Sequence, residues 1–177
     1  MQKIVLTFGL IAGTILSAMM LATLPFLDRI GLDRGAIIGY TTMVIAFLMV
    51  YFGVRSYRDN VAGGSVSFGR AFKLGLLITA VASVCYVATW QFVYYRITPD
   101  FLDKYAAYAV DKAKKAGASE AKLTATRKEM DEFKEMYQNP LVNIALTVLE
   151  PLPVGLVFTL VTAGVLSRRR QPARAAS

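Results

Sequence analysis

The sequence contains no histidine and a single cysteine, Cys85. Without histidine the chain has no imidazole for acid–base catalysis or for binding a metal. One cysteine cannot form an intrachain disulfide or a cluster of metal-binding thiolates. Charge is also scarce, because Asp, Glu, Lys and Arg make up 18% of the 177 residues, against about 25% in soluble domains. These absences exclude an ordinary soluble enzyme.

The sequence is instead rich in long apolar runs. It is 55% hydrophobic with a mean hydropathy of +0.47. A membrane-spanning helix needs about 20 apolar residues, and four runs meet this length: residues 4–27, 35–54, 72–95 and 141–167. We therefore predict an all-α membrane protein, a four-helix bundle with one four-span domain over residues 1–167. Residues 168–177 form a basic cytoplasmic tail in this prediction.

The first run begins like a signal peptide, with Lys3 before an apolar stretch. A signal peptide has an apolar region of about 7–15 residues that ends in small residues at its cleavage site. Here the apolar run is longer, and Leu24-Pro25-Phe26 lies where the small residues would be needed. A retained span is therefore favoured over a cleaved signal.

Four spans place both termini on one side of the membrane, and that side carries nine basic residues and one acid. The opposite side carries eleven basic residues, so the raw count does not decide the orientation, but the nine lie in short segments beside the spans. We predict cytoplasmic termini in a bacterial inner membrane, with anionic lipid headgroups rather than nucleic acid as the partner of the positive charge. Residues 28–34 predict a tight turn between spans one and two, and Gly63-Gly64 predicts a turn between spans two and three. For the basic residues of this second connection, the alternative to headgroup anchoring is a ligand or protein site. The predicted headgroup anchors are Arg55, Arg58, Arg70, Lys73, Arg168, Arg169 and Arg170.

The third connection is the one sizeable polar segment, and we predict extramembrane helix over residues 98–138. It reads either as a helical hairpin or as extensions of spans three and four. Thr98-Pro99-Asp100 is typical of a helix start, and Ser119 after Gly117 is a candidate N-cap for a second helix. An apolar stripe on that second helix must be covered by the bundle's own end, by the other arm, by a second copy or by another membrane protein. The stripe, our candidate partner contact, comprises Leu123, Met130, Phe133 and Tyr137.

Glu150 is the one acid inside a predicted span, where a charge costs roughly 2.5–3.5 kcal/mol on insertion scales. Pro151 and Pro153 follow it and remove backbone donors, which predicts a kink between Leu149 and Pro153. Glu150 is either structural, bonded to Thr147, a tyrosine or a tryptophan, or it binds a proton or cation and couples its movement to a conformational change. Glu150, Pro151 and Pro153 are therefore the intramembrane functional candidates.

Two further patterns concern packing and chemistry. Gly9, Gly13 and Ser17 form a small-residue face that suits close packing against another span or a second copy. The sequence has no nucleophile elbow, phosphate-binding loop, HExxH or CxxC motif, so we predict no catalytic residues, metal or cofactor and no enzymatic activity.

Six short segments then occur in a specific order. They are IGY at 38–40, FGVRSYRD at 52–59, GGSVSFGRAFKLG at 63–75, PDFLDKY at 99–105, EMYQNP at 135–140 and LEPLPVG at 149–155. In this order the sequence resembles a bacterial membrane family, domain of unknown function 4199, over almost the whole chain. The resemblance implies a small four-span integral membrane protein. It implies no activity and carries over no catalytic residue.

These observations lead to two functional hypotheses. The first is a non-enzymatic accessory, scaffold or envelope-associated protein that acts through its helical outer loop and basic inner face. The alternative is a small proton- or ion-coupled transporter or channel that uses Glu150. A homodimer or a membrane protein partner is compatible with the first hypothesis.

Overall fold

The computed structural model describes residues 1–167, so the predicted tail with Arg168, Arg169 and Arg170 lies outside the described residues. The described part consists of helices joined by short connections and contains no strand. A 3₁₀ turn at Leu24–Phe26 joins α1 to α2, and a π-helical turn at Val93–Ile97 extends α4. The α-helices are α1 (Gln2–Thr23), α2 (Leu27–Ile30), α3 (Leu32–Asn60), α4 (Phe68–Phe92), α5 (Phe101–Lys115), α6 (Glu120–Tyr137), α7 (Pro140–Leu149) and α8 (Pro151–Leu166).

Four helical stretches are long and apolar enough to cross a membrane: Gln2–Ile30, Leu32–Asn60, Phe68–Ile97 and Pro140–Leu166. This confirms the predicted all-α membrane fold. The first three stretches are longer than the predicted spans, because each helix continues into polar residues at its ends, whereas the fourth has the predicted length and is shifted by one residue.

The four stretches form a bundle in which α3 and α4 are central. α1 packs on α3 and α4, α8 packs on the same two helices from the other side, and α3 and α4 also touch each other. Phe47, Leu74 and Ile78 are fully buried at the centre. We call the end of the bundle that carries α5 and α6 the hairpin end, and the end that carries Met1 and Leu166 the terminal end.

Small residues bring α1 close to α4. An ideal Cβ at Gly13 would lie 2.6 Å from the Cys85 Cβ, and one at Gly9 would lie 2.7 Å from the Val81 Cβ. One turn further on, the Thr89 hydroxyl donates to Ser17 Oγ at 2.7 Å. The predicted small-residue face therefore packs against another span of the same chain.

The connections differ from the prediction in detail. Residues 28–34, predicted as a turn, are mostly helical. The chain changes direction at Gly31 alone, between α2 and α3, where a φ of +82° suits glycine. Gly63 and Gly64 form the predicted turn with positive φ. Ser67 occupies the N-cap position of α4, but its side chain makes no capping hydrogen bond.

The segment at 98–138 is a helical hairpin, which decides between the two predicted forms. Its first helix begins at Phe101 rather than at Pro99, because the π-helical turn continues to Ile97 and the Thr98 N–H still donates to the Val93 carbonyl at 2.9 Å. Ser119 caps α6 as predicted, accepting the Lys122 N–H at 3.4 Å.

Candidate functional site

The fourth membrane stretch breaks at Glu150. α7 ends at Leu149 and α8 begins at Pro151, so the predicted helix break is present. The Glu150 N–H donates to the Thr147 carbonyl at 3.4 Å instead of to the residue four positions back, the regular α-helical acceptor. Because Pro151 also lacks an N–H, the backbone at this point is free to bend.

The break separates two packing environments. α8 packs on both α3 and α4, whereas α7 continues along α4 and contacts α6 of the hairpin. Glu150 therefore lies at the boundary between these two packing environments.

The Glu150 carboxylate is held by a tyrosine of α4. The Tyr86 hydroxyl donates to Glu150 Oε2 at 2.5 Å, which selects tyrosine among the three predicted partners. Within residues 1–167, no lysine or arginine lies within salt-bridge distance of this carboxylate. Glu150 follows Pro140 by ten residues, about 15 Å of helix, so it lies at the depth of the hydrocarbon layer.

Tyr86 also borders a cavity of about 150 Å³. The cavity lies between α1 and α3 in the hairpin half of the bundle. Tyr86 and Trp90 line it on the side of α4. Gly39 on α3 borders it too, and an ideal Cβ there would have no atom within 4 Å. Tyr86 thus connects the cavity to the membrane carboxylate.

An aromatic cluster packs the hairpin against the end of the bundle. Tyr94, Leu102 and Tyr137 are buried together, with Trp90 and Phe101 packed against them. The Trp90 indole N–H donates to the Tyr137 hydroxyl at 2.8 Å. One hydroxyl of α6 is therefore tied to α4.

A buried amide adds a second polar link in the same region. Asn143 is fully buried, and its Oδ1 accepts from Gln91 Nε2 at 2.7 Å. The Thr147 hydroxyl donates to the Asn143 carbonyl at 2.7 Å and lies 3.5 Å from the Tyr137 hydroxyl. Polar contacts therefore run from α4 through α7 to the hairpin.

Ion pairs join the hairpin to the corner between α2 and α3. Lys112 Nζ lies 2.7 Å from Asp33 Oδ1, and Lys104 Nζ lies 3.5 Å from Asp28 Oδ2. The hydrogen bond that Lys112 donates to the Asp33 carboxylate raises the pKa of Lys112, and the one that it donates to the Tyr108 hydroxyl has a smaller effect. These charged groups are exposed, so solvent screens their attraction. The buried aromatic cluster therefore contributes more than the ion pairs to holding the hairpin against the bundle.

The predicted partner stripe is mostly covered by its own chain. Leu123 and Tyr137 are buried, and Phe133 packs on Tyr105 and Tyr137. Met130 is half-buried and borders a groove between α5 and α6, which we call the hairpin groove. Of the four stripe residues, Met130 is the one that lines this open groove, and its contact with a partner stays a prediction.

The four predicted headgroup anchors that lie within residues 1–167 form two groups at the terminal end. Arg55 and Arg58 share Asp59, with Nε–Oδ distances of 3.5 and 2.7 Å. Arg70 and Lys73 are exposed on the first turns of α4. The second pair is therefore the better placed to meet phosphates.

The sequence analysis did not find Tyr86 or Asn143. Asn143 carried a signal, since an amide inside an apolar run must find a hydrogen-bond partner. No pattern in the sequence singled out Tyr86, because the rotation of α4 about its axis determines which tyrosine faces Glu150.

The fold and these sites define a multi-pass integral membrane protein with an extramembrane helical hairpin. The model of the family described as "Protein of unknown function (DUF4199)" matches residues 7–168, nearly the whole chain. The chain belongs to this family, which confirms the resemblance. No curated protein and no solved structure matches it.

Proposed function

We propose that this protein is a non-enzymatic accessory or scaffold protein of a bacterial inner membrane, with the hairpin on the outer side and both termini in the cytoplasm. The observation that carries the proposal is the packing of the hairpin against the end of the bundle. The Trp90–Tyr137 hydrogen bond and the aromatic cluster hold α6 in one orientation above the bundle. A rigidly held hairpin presents a constant surface to a partner, and binding then costs less ordering entropy.

The hairpin groove is the surface we assign to this role. Its apolar floor combines Ala106, Ala107 and Val110 of α5 with Met130 of α6. Charged residues of both signs form its rim: Asp111, Lys114, Arg127 and Asp131. An apolar centre with a polar rim is the usual anatomy of a protein interface. The partner is a second copy of the chain or another membrane protein.

The basic terminal end supports the proposed orientation. Exposed Arg70 and Lys73 lie where span three leaves the membrane, and anionic cytoplasmic headgroups attract such groups by about 1 kcal/mol each.

The test is site-specific photo-crosslinking in intact cells at native expression. A photoreactive side chain replaces Met130, and the matched control replaces Lys128, which points to the opposite face of α6 because two residues turn a helix by about 200°. We expect a discrete adduct from position 130 alone, and mass spectrometry of the adduct separates a second copy from a different protein. Equal or absent adducts at both positions would refute the groove as a partner surface.

The transporter alternative rests on the Glu150–Tyr86 contact beside a cavity. The terminal half of the bundle argues against a continuous path, because Phe47, Val50 and Leu74 are fully buried there. The accessory function is therefore preferred. A proton-coupled flux in liposomes that Glu150→Gln abolishes would reverse this preference.

A further inference from the structure

The cavity between α1 and α3 has the form of a small ligand site at membrane depth. Its volume of about 150 Å³ equals roughly five water molecules in the liquid. It extends from Thr23 and Gly35, at the hairpin ends of their helices, inward to Leu16 and Met43, which are buried. A ligand that enters from the hairpin end of the bundle would therefore meet progressively more apolar walls.

The chemistry of the cavity favours a positive charge. Tyr86 and Trp90 form its floor, and aromatic faces attract ammonium groups, most strongly when these are quaternary and desolvated. Glu150 does not line the cavity and is exposed at the surface of the bundle, but its Oε2 accepts the Tyr86 hydroxyl at 2.5 Å. No basic side chain among residues 1–167 neutralises that carboxylate, so a cation in the cavity would offset the cost of a negative charge in the membrane.

We propose that this cavity binds an alkylammonium cation, with its small headgroup against Tyr86 and Trp90 and its alkyl chain in the bilayer. The volume admits a headgroup of a few heavy atoms and excludes a bulky polycyclic cation. The shared ligand chemistry is the ammonium group, carried by a free small cation or by a membrane amphiphile. The site is independent of the hairpin groove, so either proposal can fail without the other.

Trp90 makes the proposal directly measurable, because it is the single tryptophan of the chain. The full chain in uncharged maltoside micelles is titrated with dodecyltrimethylammonium while Trp90 emission is recorded. We expect a saturable change that dodecanol, a neutral chain of the same length, does not produce. A parallel titration with tetramethylammonium distinguishes the sources: saturation with it indicates a free cation, and saturation only with the tailed probe indicates an amphiphile.

Two variants test the two halves of the site. Glu150→Gln removes the charge, and we expect affinity to fall on the order of tenfold. Gly39→Leu fills the cavity without touching Glu150, and we expect binding to be lost. Glu129→Gln and Gly164→Leu are matched controls, because Glu129 is exposed on the hairpin and a Cβ at Gly164 meets no atom within 4 Å.

The outcomes are distinct. An unsaturable response, or one equal to that of dodecanol, overturns the proposal. So does unchanged affinity in Glu150→Gln, which would leave an apolar pocket without preference for charge. If Glu150→Gln does not fold, as judged by circular dichroism, the Gly39→Leu result and the dodecanol comparison decide: unchanged binding in Gly39→Leu overturns the site, and lost binding supports it.

Discussion

Single residues set how closely the helices of this bundle approach. At Gly155 an ideal Cβ would lie 2.3 Å from Thr79 Cγ2 and 3.1 Å from Phe47 Cε1. These distances are shorter than van der Waals contact, so α8 reaches α4 only because residue 155 has no side chain. In a membrane, where apolar burial does not drive helices together, such contacts are a main source of association energy.

We therefore expect Gly155→Ala to destabilise the bundle by about 1–3 kcal/mol, because the added methyl must push α8 away from α4. Thermal unfolding in detergent, followed by circular dichroism at the helix band, measures the loss. Gly164→Ala is the matched control in the same helix, since its Cβ meets open space. If both variants melt at the same temperature, the close contact does not limit stability.

At the scale of elements, the break in the fourth stretch decides where the hairpin sits. α8 follows the central helices, whereas α7 packs along α4 and reaches α6. The two prolines and the shifted Glu150 N–H bond lie at the boundary between these two environments. We infer that they set the course of α7, which keeps Tyr137 between Trp90 and Thr147.

We expect the double variant Pro151→Ala, Pro153→Ala to move α7 toward α3, because both backbone donors are restored. Spin labels on cysteines at Ile37 and Leu141, both exposed, report the separation of α3 and α7 by electron–electron double resonance. The background carries Cys85→Ala so that only the two labels react. A shorter mean distance is the expected result.

The control for this measurement is Pro99→Ala, which changes a proline outside the break. A distance distribution that stays the same in the double variant would show that helix packing, rather than the prolines, sets the direction of α7.

At the scale of the whole molecule, the third membrane stretch separates the glycine turn from the hairpin and puts them at opposite ends of the bundle. Ser119 lies at the tip of the hairpin and Ser65 follows the glycine turn, and both are exposed. The two positions should therefore lie on opposite sides of the membrane whichever way the protein is inserted.

For the proposed orientation we expect Ser119→Cys to react with a membrane-impermeant maleimide in intact spheroplasts. Ser65→Cys should react only after permeabilisation, again in a Cys85→Ala background. The reverse pattern would show the opposite orientation, and labelling of both positions from one side would contradict four crossings.

Much of this architecture follows from local patterns of residues. Run length predicted the four spans, the Gly63-Gly64 pair predicted a turn, and the Leu149–Pro153 segment predicted the helix break. These features are local, because hydropathy, φ preference and a missing N–H act within a few residues of the chain. The shift of the hairpin start from Pro99 to Phe101 shows the limit, since a π-helical turn in the preceding span took up the intervening residues.

The pairing of side chains across helices, in contrast, depends on how the folded helices pack. Three hydrogen bonds join side chains of different helices: Tyr86 to Glu150, Trp90 to Tyr137 and Gln91 to Asn143. They form because of how α4, α6 and α7 are rotated about their axes. One residue turns a helix by about 100°, so a small change in rotation replaces one partner by another. For α4, that rotation depends on which face meets Gly9 and Gly13 of α1. The sequence shows the small-residue face of α1 but not the face of α4 that packs against it.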